Sequence, residues 1–65
     1  MKIETDFITL QQFLKISGIA MSGGEAKHLV KELEIYVNGE SENRRGKKLY
    51  PGDLITVNGK RYVIE

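Results

Sequence analysis

Three short stretches of this 65-residue chain hold the side chains whose types and spacing could do chemistry. Ser22-Gly23-Gly24-Glu25-Ala26-Lys27 reads as the opening of a helix, and Ile35-Tyr36-Val37-Asn38-Gly39 as a strand and its turn. Asn43-Arg44-Arg45-Gly46-Lys47-Lys48 then sets four cations within six positions. The chemistry these imply is the binding of a polyanion. Overall charge conceals it: the formal net charge is +1, so with +4 in residues 43–48 the remainder of the chain carries −3. Positive potential concentrated on one edge of a small body is the footprint of a polyanion-binding surface. A charge run is also what a solvated loop looks like.

Catalysis has little to work with. His28 is the one histidine and there is no cysteine, so a cysteine–histidine pair is impossible. His28 itself reads as a filler on a helix face. The acidic residues are scattered, and Gly23-Gly24 lacks the spacing of a phosphate loop or a dinucleotide-binding turn. The expectation is a protein without catalytic residues, cofactor or metal.

Size sets the frame for these stretches. The expectation is one domain over residues 1–65, of a size that buries only about 60% of its unfolded surface and leaves no room for a deep cleft. Without cysteine, neither a disulfide nor a cysteine-based zinc site can staple it. The 40% of hydrophobic residues must hold the fold, and that share suits a folded chain. No apolar run is long enough for a membrane span or a signal-peptide core, which points to the cytoplasm and away from membrane partners.

The elements that position the three stretches announce themselves through capping and period. Thr9-Leu10-Gln11-Gln12 spells a capping box, with Ile8 and Phe13 placed as a hydrophobic staple. Leu10, Phe13 and Leu14 share one face of helix one, predicted over 10–17, and Gly18 is its expected stop. Ser22-Gly23-Gly24-Glu25 spells a second capping box. Ala26, Leu29, Val30 and Leu33 then recur at helical spacing, predicting helix two over 23–33 with Lys27 above Lys31 on its exposed face. After residue 34 the period changes to two. Asn38-Gly39 and Asn58-Gly59 mark tight turns, Tyr50-Pro51-Gly52-Asp53 fits a type II turn, and 54–57 with 60–64 form a hairpin. A short first strand over Lys2 to Thr5 completes the expectation. The fold class is α+β: a two-helix hairpin packed on one face of a small, mostly antiparallel sheet.

That order of elements resembles the alpha-L RNA-binding motif, also called the S-four domain, over Ile8 to Asn58. The resemblance rests on Leu10 with Phe13-Leu14, Ser22 with Glu25-Ala26-Lys27, Val37-Asn38-Gly39 and Pro51-Gly52-Asp53-Leu54-Ile55. Ser22-Gly23-Gly24 together with Asn43 to Tyr50 is most similar to the short, stand-alone YaaA-like bacterial proteins. Two departures stand out. Gly23 and Gly24 occupy positions where the wider family places arginines, and Thr9 sits where many relatives have a basic residue.

The resemblance implies a non-catalytic module for structured RNA, ribosomal RNA in particular, working beside a ribosome-associated protein. Arg44 and Arg45 would grip phosphates bidentately, while Lys47 and Lys48 would act as point charges. Gly23 and Gly24 would leave the N–H groups behind Ser22 open to a phosphate, or would merely ease the turn. Lys27 and Lys31 either join that surface or pair with Glu25, Glu32 and Glu34. Lys15 is a further candidate on helix one. Tyr36 offers a ring for stacking or an edge for the core, and Tyr50 reads as structural. The alternative function is an adaptor that docks on a larger nucleic-acid-processing or ribosome-associated protein.

Overall fold

Capping decides where the helices begin. In the computed structural model, which describes every residue from Met1 to Glu65, the order is β1 (Ile8–Thr9), α1 (Leu10–Ile16), α2 (Gly23–Glu32), β2 (Ile35–Val37), β3 (Glu40–Ser41), β4 (Lys48–Leu49), β5 (Leu54–Val57) and β6 (Lys60–Val63). Thr9 closes its full capping box: its Oγ1 accepts from Gln12 N at 3.2 Å, and Gln12 Oε1 accepts from Thr9 N at 2.8 Å. Ser22 closes only half of one. Its Oγ accepts from Glu25 N at 3.1 Å, but the Glu25 carboxylate reaches one residue further back and accepts from Met21 N.

Each helix ends one residue earlier than expected. Ser17 and Leu33 are the C-caps, and Leu33 has already turned to extended backbone. Gly18 follows α1 at φ +81°, a conformation that costs glycine no Cβ clash.

The strands divide into two antiparallel sheets. β1 pairs with β4, and the larger sheet runs β3-β2-β5-β6. Its register explains the core: Ile35 lies opposite Val57, and Val37 opposite Ile55, so all four apolar side chains leave the same face. These four are buried, together with Leu10, Phe13 and Leu14 of α1 and Ala26 and Val30 of α2. Tyr62, paired with Ile55, meets Phe13 edge-on at 5.3 Å between ring centroids. One cluster of 13 buried side chains therefore joins helices and sheets, with Leu29 and Leu33 packed against it.

Both Asn-Gly pairs have positive φ at both residues, as type I′ hairpin turns require: 52° and 86° at Asn38-Gly39, 47° and 87° at Asn58-Gly59. Gly52, at φ +96°, completes the type II turn, which Asp53 N closes onto Tyr50 O at 3.0 Å. The expected strand over Lys2 to Thr5 does not form. That segment reaches the end of the chain through Ile3 N to Glu65 O at 3.1 Å, but a bend at Glu4 to Asp6 breaks it before a ladder can extend.

Candidate nucleic-acid interface

The basic segment is held from beneath by its own backbone. Leu10 N donates to Lys47 O at 2.8 Å and Gln11 N donates to Arg45 O at 2.9 Å. A helix leaves its first N–H groups without intrahelical partners, and in α1 loop carbonyls and the Thr9 hydroxyl take them up. β1 adds the pairing of Thr9 with Lys48. The start of α1 thus carries the loop across to the flank of α2.

There the two meet in a shallow cleft of about 380 Å³, lined by Lys27, Val30 and Lys31 from α2 and by Asn43, Arg44, Arg45 and Gly46 from the loop. Val30 is buried, so the rest of the lining is polar or backbone. Four cations converge on one opening.

Their partners differ. Arg44 is forked onto Glu42, with Nε donating to Oε2 at 2.8 Å and Nη2 to Oε1 at 3.1 Å. Arg44 N also donates to Oε2, at 3.0 Å. The Glu42 side chain is only 9% exposed, against 72% for Arg44. Chiefly because the Arg44 guanidinium donates to it, the Glu42 carboxyl is held down at about 2, although burial pushes the other way. The same bond raises the Arg44 pKa.

Lys27, Lys31 and Arg45 form no ion pair. Pairing of the two lysines with nearby glutamates is therefore not what the structure adopts. The Glu25 carboxylate accepts from Met21 N, and the Glu34 carboxylate accepts from the Tyr36 hydroxyl at 3.0 Å, which raises the tyrosine pKa.

Gly23 and Gly24 lie one turn up the same helix face from Lys27, and the line from Gly23 to Lys31 is about 12 Å long at 1.5 Å per residue. Neither glycine N–H has an intramolecular acceptor. The two glycines differ in surroundings. A Cβ on Gly23 would stand 2.8 Å from Gln11 Nε2, whereas one on Gly24 would meet nothing closer than Ser22 Oγ at 3.9 Å. The Gln11 amide is the movable end of a flexible side chain, so packing requires glycine strictly at neither position.

The other sequence candidates lie outside the cleft. Lys15 is exposed in the last turn of α1. Lys47 is half-buried and engaged through its backbone, and the Lys48 ammonium sits 4.9 Å from the centroid of the Phe7 ring. Tyr36 points away from the core between two buried neighbours, and Tyr50 packs on Phe7 at 5.8 Å. Two participants were not singled out from the sequence as contacts: Asn43, named only as the start of the basic stretch, and Glu42. The acidic residue two before Arg44 was the visible sign of the second.

Comparison with known proteins agrees with this architecture. Residues 1–65 match the family described as the S4 domain. The chain is 51% identical over 57 residues to the Bacillus subtilis (strain 168) "Probable ribosome maturation protein RlbA", a match spanning 88% of this chain and 80% of that one. Its fold is similar to that of 30S ribosomal protein S4e from Thermoplasma acidophilum, with a TM-score of 0.66 at 20% identity, over 92% of this chain. The likeness spans only 32% of S4e and speaks for the fold alone.

Proposed function

The chain belongs to the S4 domain family, and on that premise we propose that it is a non-catalytic module binding structured RNA, ribosomal RNA foremost, during ribosome maturation. One observation carries the reading: Lys27, Lys31 and Arg45, none of them in an ion pair, converge with Arg44 on a single cleft. A backbone phosphate is the ligand such a cluster favours, because it offers charge and several acceptor oxygens at once. The unpartnered N–H groups of Gly23 and Gly24, at the positive end of α2, extend the same surface by one turn. Contacts of this kind fix position and register on RNA and carry no base sequence, so recognition rests on the shape of the RNA.

The relative's name, a probable ribosome maturation protein, supports a ribosomal setting for that RNA. No helix is long and apolar enough to cross a membrane.

The test is a salt titration of binding to end-labelled, fragmented ribosomal RNA. The log–log slope should correspond to roughly three to five displaced counterions. Affinity that is independent of salt would reject the cleft as a phosphate site. So would a Lys31→Glu, Arg45→Glu double variant that binds as tightly as the parent.

A further inference from the structure

The one acidic side chain bonded to a residue of the cleft is not itself part of the lining. Glu42 follows β3, with its own N–H bonded to Ile35 O at 2.9 Å, so its backbone is fixed to the end of the large sheet. Its side chain is nearly enclosed, and both carboxylate oxygens are spent on Arg44: Oε2 accepts from Nε and from the backbone N–H, and Oε1 accepts from Nη2. A guanidinium has five N–H groups, two of which this fork consumes. The remaining three include the end-on pair from Nη1 and Nη2, which has the geometry of a second bidentate fork.

We infer that Glu42 is a positioning residue, holding Arg44 by its inner edge so that its outer edge is presented, already ordered, to a phosphate in the cleft. The inference rests on the RNA-binding reading above. Its basis is the asymmetry of the pair: the acid is fixed and enclosed, while the cation it holds is 72% exposed and lines the opening. An arginine on a loop otherwise has many rotamers to lose when it grips a ligand, and a fork made in advance removes that cost.

Simple charge predicts the opposite. Neutralising Glu42 raises the net charge by one and should strengthen attraction to a polyanion. The sign of a single measurement therefore separates the two. Binding of end-labelled, fragmented ribosomal RNA is measured at fixed moderate salt for the parent, Glu42→Gln, Arg44→Ala and the double variant. Glu42→Gln should weaken binding about threefold to tenfold, the factor that goes with reordering one long side chain. That loss should vanish in the Arg44→Ala background, since nothing is then left to position.

If Glu42→Gln tightens binding or leaves it unchanged, Glu42 is a competitor or a bystander and the proposal falls. It falls as well if the loss persists with Ala at position 44. Arg44→Ala binding like the parent removes Arg44 from the interface, which leaves the cleft reading to Lys27, Lys31 and Arg45. A parent that binds none of the fragments at low salt overturns the RNA reading itself. Should Glu42→Gln fail to fold, Glu42→Asp serves in its place, because it keeps the charge while its shorter side chain cannot hold the same fork on Arg44. It should weaken binding in the parent and not in the Arg44→Ala background, and affinity equal to the parent would overturn the proposal.

Discussion

The backbone N–H of Gln11 donates to the carbonyl of Arg45 at 2.9 Å, tying the start of α1 to the middle of the basic loop. Through that bond the capping of one helix decides where the cations stand relative to the other. Arg45 is also the loop cation that lines the cleft with no carboxylate beside it.

Cleft and non-cleft cations should separate in salt titrations. Lys31→Ala and Arg45→Ala should each lower the log–log slope for ribosomal RNA fragments by about one. Lys15→Ala should leave the slope as it is, because Lys15 stands at the far end of α1. Equal slopes for all three would mean that binding is diffuse and the cleft is not a site.

Gly24→Ala should move stability and binding in opposite directions. The new methyl has space, with Ser22 Oγ at 3.9 Å as its nearest neighbour, and alanine is the better helix former by about 0.5–1 kcal/mol. The melting temperature should therefore rise. RNA affinity should fall at every salt concentration, since the methyl stands between a phosphate and the free N–H groups. A more stable variant with unchanged affinity would remove the end of α2 from the interface.

Stability should depend on Glu42 in acid. Its carboxyl drops from 4.5 to about 2 in the folded protein, so the unfolded chain takes up a proton there before the native state does. The contribution is thus present in full above about pH 4.5 and is lost as pH falls toward 2. Melting temperatures of parent and Glu42→Gln should draw together over that interval. Curves that run parallel from pH 6 to pH 2 would show that the pair adds nothing to folding.

Asn38→Gly should destabilise the protein despite suiting the turn. Glycine accepts the φ of 52° more readily than asparagine does. The Asn38 side chain, however, bridges two strands: Oδ1 accepts from Leu54 N at 2.9 Å and Nδ2 donates to Asp53 Oδ1 at 3.0 Å. Losing both bonds should cost about 1–2 kcal/mol in chemical denaturation, and a neutral or stabilising result would show that the bridge carries no weight.

Much of the fold was legible because its signals are local. The Thr9 capping box, Gly18 as a helix stop and the two Asn-Gly turns each involve residues within four positions, and backbone sterics or one short hydrogen bond decides them. The alternation of Ile35 and Val37 likewise foretold their burial. The resemblance to the S-four domain, built on the order of these signals, is borne out across the whole chain.

What the sequence by itself determined, then, is both helices, β2 and the β5–β6 hairpin with their turns, and the presence of a cationic segment beside a helix hairpin. The two-residue strands β1, β3 and β4 were not read from it. Tertiary structure decided the rest, for a physical reason: contacts between distant residues depend on which groups are left unpaired once the chain has closed. Lys2 to Thr5 had the composition of a strand, yet found only Glu65 to pair with before bending away. Asn38 and Asn58 read as turn formers and also became bridges, with Asn58 Oδ1 accepting from Glu34 N at 2.9 Å. The six-residue run 43–48 gave no sign that its cations would part ways. Arg45 faces an open cleft, Arg44 is forked to Glu42, and Lys48 lies over Phe7, because α1 and β1 grip the backbone between them and turn the side chains to different neighbours.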